Sequence, residues 1–147
     1  MKQISGLWFE CKVRYEQTQE DGLEKMVTET YVYKAGDFGE AYGKTIKDMS
    51  TSISGEFEIT AMKIARYGEV VMQDDRTEEK YYRVKVNLII LDEKTQKEKK
   101  TACYYLVNAD SVEKARKYTD TAFSDTLIDY VIEAVQEAKI IDVIFDD

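Results

Sequence analysis

The chain opens with a period of two. From Trp8 to Glu16, Phe9, Cys11, Val13 and Tyr15 alternate with Trp8, Glu10, Lys12 and Arg14, the pattern of a strand with one apolar face. Gln17 to Lys25 is polar and carries the turn dipeptide Asp21-Gly22. Met26 to Lys34, β-branched and aromatic, returns as the second strand of a hairpin. The period then changes. Asp37 followed by Glu40 resembles a capping box. Phe38, Ala41, Tyr42, Ile46 and Met49 recur at helical spacing and predict a helix with those five side chains as its apolar stripe. Gly39 and Gly43 weaken that helix by about 1 kcal/mol each relative to alanine. Ser50 to Gly55 ends it. Phe57, Ile59 and Ala61 then alternate with Glu58 and Thr60 in a third strand reaching to about Arg66.

Gly68 to Lys80 has no periodicity after Val71 and reads as a linker. The order of elements then recurs. Tyr82, Val84, Val86, Leu88 and Ile90 face one way, and Tyr81, Arg83, Lys85 and Asn87 the other. Asp92 to Lys100 is a charged turn, and Thr101 to Asn108 a tyrosine-rich strand. Ser111 caps a helix with Val112, Ala115, Thr119, Ala122 and Phe123 on one side. A shift of 73 residues sets Lys12-Val13 on Lys85-Val86, and a shift of 74 sets Ala41 and Thr45 on Ala115 and Thr119. The last segment, Leu127 to Phe145, is ambiguous. Leu127, Val131, Ala134, Val135 and Ala138 fit a helical stripe, yet the counterpart Phe57 to Arg66 reads as a strand. A strand from about Tyr130 to Lys139 is adopted, with a helix as the alternative.

The fold expected is therefore α+β. It consists of two tandem β-β-α-β repeats related by a pseudo-two-fold axis, about six strands with two helices packed on one sheet face. Residues 1–147 form a single domain, with repeat one at about 7–72, a linker at about 73–80 and repeat two at about 81–145.

Composition bears on chemistry more than on fold. At 147 residues the chain is long enough to bury a core without a disulfide or metal. It has no histidine and only two cysteines, Cys11 and Cys103, outside any Cys-x-x-Cys pair. That excludes Ser-His-Asp and Cys-His catalysis, histidine-ligated metals and a structural zinc site. The two thiols read as buried small hydrophobes in a reducing compartment. Glycine-rich nucleotide fingerprints and EF-hand spacing are missing. No catalytic residue, metal ligand or cofactor is expected. The sequence has no apolar run of membrane-spanning length and no signal-peptide pattern at its start, so a cytoplasmic location is expected.

Net charge is −8. Up to residue 73 there are 9 basic and 12 acidic residues, and beyond it 12 and 17, so no basic domain hides in the average. An acidic chain of this kind is no general binder of duplex DNA.

Four stretches carry a likeness along the whole chain: Trp8-Phe9-Glu10-Cys11-Lys12-Val13-Arg14-Tyr15, Ser54-Gly55-Glu56-Phe57-Glu58-Ile59-Thr60, Leu91-Asp92-Glu93-Lys94-Thr95 leading to Lys99-Lys100-Thr101-Ala102, and Asp129-Tyr130-Val131-Ile132. Through them the chain resembles a family of small proteins, found mainly in Bacteroides-type gut bacteria, described only as a domain of unknown function. The resemblance implies no activity, cofactor or catalytic residue.

One surface stands out. If Phe9, Val13, Val84 and Val86 point at the helices, Trp8, Lys12, Arg14, Tyr81, Arg83 and Lys85 share the opposite face, and the two aromatics are expected in solvent. The sequence reading is a non-catalytic interaction module that uses this face or a strand edge for a protein partner or for self-association. The alternative is single-stranded nucleic acid binding, with Trp8 and Tyr81 stacking on bases and the basic residues on phosphates.

Overall fold

A computed structural model describes residues 1–146. In chain order its elements are β1 (Lys2–Ile4), β2 (Trp8–Thr18), β3 (Glu24–Lys34), α1 (Phe38–Ser52), β4 (Phe57–Ala65), β5 (Glu69–Met72), β6 (Tyr81–Leu91), β7 (Glu98–Asn108), α2 (Val112–Ala122), β8 (Asp129–Ala138) and β9 (Asp142–Ile144). The fold is α+β. It has nine strands in two sheets among the described residues, where about six strands on one sheet were expected. The extra strands are the short β1, β5 and β9. Runs of three or four residues are too brief to show a period, and Val70-Val71-Met72 is apolar on both faces because all three side chains are buried.

The chain divides into two compact units, each discontinuous in sequence: Met1–Ser5 with Tyr67–Lys139, and Gly6–Arg66 with the stretch from Ile140 onward. In the second of these the strand order is β4-β2-β3-β9. The hairpin β2–β3 is antiparallel in unbroken register from Trp8↔Lys34 to Thr18↔Glu24. Strand β4 joins the free side of β2 antiparallel, with a bulge between Lys12 and Val13, and β9 runs parallel to β3. Helix α1 covers one face. Phe9, Cys11, Tyr33, Ala35 and Ala41 form the core there, with Tyr31, Met62 and Ile144 against it. Phe9, Cys11 and Val13 are buried as the alternation requires.

The other unit has the order β1-β5-β7-β6-β8. The hairpin β6–β7 is antiparallel, β8 joins β6 antiparallel with a bulge between Lys85 and Val86, and β5 runs parallel to β7. Its core holds Val71, Tyr82, Val84, Val86, Val107, Ala109, Ala115 and Phe123. The ambiguous final segment is a strand. Asp129–Ala138 alternates as far as Ile132, the bulge then shifts the period by one, and Tyr130, Ile132 and Val135 pack on that core. The expected linker is partly structural. Glu78 is buried and accepts hydrogen bonds from Tyr118 Oη at 2.7 Å and Lys114 Nζ at 3.1 Å, while Asn108 Nδ2 donates to the carbonyls of Glu78 and Lys80 at 2.9 and 3.0 Å.

Candidate functional site

The alternation places Trp8, Lys12 and Arg14 on the face of β2 turned from α1, and Tyr81, Arg83 and Lys85 on the corresponding face of β6. The expected exposure of the two aromatics is overturned. Trp8 is 0% and Tyr81 4% exposed. Alternation fixes which way a side chain points but not whether that face is covered. At the Trp8 end the same face also carries Val32 and Val143, both fully buried, and its carboxylate, Glu10, is buried with Lys63 Nζ at 3.3 Å. A strand buried on both faces reads as continuously apolar rather than alternating. Trp8-Phe9 and Tyr81-Tyr82 are such pairs, and that was the signal available in the sequence.

The basic residues divide between the units. Lys12 and Arg14 are exposed on β2. Arg83 is half-buried and its Nε donates to Tyr67 Oη at 3.1 Å, and Lys85 Nζ lies 3.3 Å from Glu133. Arg14 also borders a shallow hollow of about 560 Å³ with Glu16, Glu24, Met26, Phe57 and Glu58. Its rim is acidic. Glu16 and Glu24 sit close enough across the hairpin to hydrogen-bond, which raises the Glu16 carboxyl.

The feature the sequence reading assigned wrongly lies on α1. Asp37 Oδ1 accepts from Glu40 N at 2.8 Å and Glu40 Oε2 accepts from Gly36 N at 2.6 Å, which fixes where the helix starts. The helix buries Ala41, Thr45 and Met49. Thr45 fits that face because its hydroxyl donates to the Ala41 carbonyl at 2.7 Å. Phe38 and Tyr42, expected in the apolar stripe, are instead 48% and 54% exposed, and Ile46 is half-buried. The Phe38 ring meets Phe9 edge-on at 4.9 Å, so one side of it is packed and the other is open. Beside this row lie Gly39 and Gly43, both exposed. A Cβ on Gly43 would meet nothing within 4 Å, and one on Gly39 only Asp37 Oδ1 at 3.4 Å. Packing within the chain does not require either glycine.

Helix α2 supplies an internal comparison. Its buried residues, Ala115 and Thr119, correspond to Ala41 and Thr45, and Thr119 donates to Ala115 O at 2.8 Å. Where α1 carries the exposed Phe38, Gly39, Tyr42, Gly43 and Lys47 and the half-buried Ile46, the shift of 74 gives Val112, Glu113, Arg116, Lys117, Thr121 and Asp120. The outer face of α2 is an ordinary solvated one. That of α1 carries the exposed ring of Tyr42, one open side of Phe38, and a glycine, Gly43, that nothing around it requires.

Burial, the largest cause in each case, raises the thiols of Cys11 and Cys103, which makes both poor nucleophiles. The described residues contain no group of three or more acidic or cysteine side chains that could hold a metal. No helix among them is long and apolar enough to cross a membrane.

A family model described as a domain of unknown function (DUF4494) matches residues 7–146. Among curated proteins and among solved structures nothing matches.

Proposed function

We propose, from the premise that the chain belongs to this family of domains of unknown function, that it is a non-catalytic interaction module whose contact surface is the outer face of α1. The observation that carries the reading is the exposure of Phe38 and Tyr42 beside Gly39 and Gly43 on a helix whose inner face is already packed. Large aromatics clustered outside mark contacts. Gly43, inside the helix, costs it about 1 kcal/mol relative to alanine, and no neighbouring group requires the missing side chain there. The partner is a protein. The nucleic acid alternative relied on Trp8 and Tyr81 as stacking platforms, and both rings are buried. The test is affinity capture from the source cell with wild type and with Tyr42→Ser. Specific capture lost in the variant, with its circular dichroism unchanged, supports the reading. Capture indifferent to Tyr42→Ser and Phe38→Ser removes it.

The internal duplication belongs here as well. The orders β4-β2-β3-β9 and β8-β6-β7-β5 correspond strand for strand, and the bulges at Lys12/Val13 and Lys85/Val86 stand 73 residues apart. Each repeat sends its final short strand into the unit built by the other: β5 pairs with β7, and β9 with β3. These features support two diverged copies of one β-β-α-β unit, each extended by an exchanged strand. An experimental structure in which residues 8–65 fail to superpose on 81–138 would refute it.

A further inference from the structure

Resting on the reading of α1 as a contact surface, we infer that the strip between this helix and the free edge of β4 takes an extended segment of a partner protein, apolar at every second residue, which joins the sheet as an added strand. In the order β4-β2-β3-β9, β4 is an edge strand and pairs with β2 alone among the described residues. The bonds flanking the β2–β3 hairpin show which of its backbone groups are free. Ala35 N donates to Leu7 O at 3.1 Å and Gln19 N to Leu23 O at 2.8 Å, so the odd-numbered residues of β2 bond to β3. The even-numbered Trp8, Glu10 and Lys12 turn their backbone groups to Ala65, Lys63 and Ala61 of β4. Met62 and Ile64, lying between these, point their N–H and C=O groups out of the sheet edge. Their side chains lie on the α1 face, Met62 against the core and Ile64 opposite Phe9.

The helix leaves that edge open. Lys44 Nζ donates to Lys34 O at 2.8 Å and Asp48 accepts from Tyr33 at 2.7 Å, so this flank of α1 lies over β3. Tyr42 and Ile46 stand two residues from these, about half a turn round the helix, on the flank toward β4. Phe38 joins them through its contact with Phe9, the register partner of Ile64. Phe38, Tyr42 and Ile64 are exposed, and with Ile46 and Met62 they line an apolar strip beside unpaired backbone. In the other unit the matching edge is covered, since α2 rests on β8 as well as on β6 and β7 and Phe123 stacks on Tyr130 at 4.5 Å. Free edge groups are matched by another main chain, and an extended chain sends alternate side chains to one face, here into the strip. Exposed Glu56 and Glu58 stand at one end of β4 and exposed Arg66 just past the other, which favours a basic residue at the first end of the segment and an acidic one at the second. The bulge in β4 limits the continuous ladder to residues 61–65, so the added strand is short.

Panning a phage-displayed library of random peptides against the full chain, with the selected peptides then titrated in synthetic form, tests this. The expected peptides alternate apolar and polar residues. Their binding slows amide hydrogen exchange at Met62 and Ile64, as main-chain pairing requires. Ile64→Pro keeps the ladder to β2, because the N–H it removes points outward, and raises the peptide Kd about tenfold or more. The exchange measurement is made on the wild-type chain and holds whether or not that variant folds. A library that yields no binder overturns the inference, and so do peptides that bind while the Met62 and Ile64 amides exchange freely. If Tyr42→Ser abolishes the binding of such peptides, strand addition falls and the contact surface on α1 stands. Binding indifferent to Ile64→Pro and to Tyr42→Ser alike overturns both. A concentration-dependent dimer that Ile64→Pro abolishes puts β4 of a second copy in the strip and overturns the foreign segment as occupant.

Discussion

Tyr33 donates its hydroxyl hydrogen bond to Asp48 at 2.7 Å, joining the C-terminal end of the β3 core face to the side of α1. The ring is fully buried, so this bond sets the seat of the helix on the sheet while satisfying the one polar atom of a large core side chain. Tyr33→Phe keeps the ring and removes the bond. It is expected to cost about 1 kcal/mol in urea unfolding, the net worth of a typical hydrogen bond. Asp48→Ala should cost at least as much, because the buried hydroxyl is then unpaired. The double variant should be less destabilised than the sum of the two.

Tyrosine ionisation gives a second expectation. Burial, as the first cause, raises Tyr31 and Tyr33, with the Glu29 and Asp48 carboxylates adding to it. Burial likewise pushes Tyr15 and Tyr105 up to about 12 from an ordinary value of 10.0. A raised folded-state value means that the folded chain keeps protons the unfolded chain gives up. This stability is fully present below pH 10.0 and is lost as pH rises through the folded values. Unfolding free energy should therefore fall from about pH 10 upward. Ultraviolet titration should show these phenols ionising late and together with unfolding. A stability profile flat to pH 12 would contradict these environments.

The thiols should behave as packed groups. Cys11 is fully buried and Cys103 half-buried. Native labelling of Cys11 is expected only through unfolding, and Cys103 should react sooner. Immediate modification of Cys11 would mean that the register of β2 is shifted by one residue, since such a shift turns every side chain to the other face.

Much of this was legible in the sequence, and the exceptions share a cause. Strands with a clean period of two, β2 and β6, were legible to within a residue or two, and so were the caps at Asp37 and Ser111, because local chemistry decides them. Whether a face is covered depends on residues far away in sequence. Trp8 beside Lys12 on one face says nothing of Val143 joining it from the end of the chain. The same limit hid β5 and β9, whose pairing with β7 and β3 is long-range. On α1 the period was right and the stripe too wide. Five residues at helical spacing cover more than one face, and burial goes to Ala41, Thr45 and Met49 while Phe38 and Tyr42 turn out.

That division of α1 makes Gly43→Ala informative. The position is helical, exposed and open, so alanine should stabilise the fold by up to about 1 kcal/mol. A raised Tm in thermal unfolding would show that the glycine is a cost that packing within the chain does not require. A loss of stability would mean that the glycine serves packing within the chain.

The last expectation concerns Trp8, the only tryptophan. Its side chain is fully buried, yet no described group accepts a hydrogen bond from its Nε1. Removing the ring should therefore be costly and removing the N–H should not. Trp8→Ala is expected to destabilise by about 3–5 kcal/mol through lost transfer energy and the cavity left behind. Trp8→Phe loses less volume and also removes a buried donor with no partner, a group that costs stability where it stands unpaired. It should lie well under half of the alanine value. Fluorescence gives an independent check on the same side chain. Emission should be blue-shifted and shielded from iodide in the native state, and both properties should vanish together on unfolding. Red-shifted, quenchable native emission, with Trp8→Ala tolerated, would put the indole in solvent and restore the exposed face that simple alternation expects.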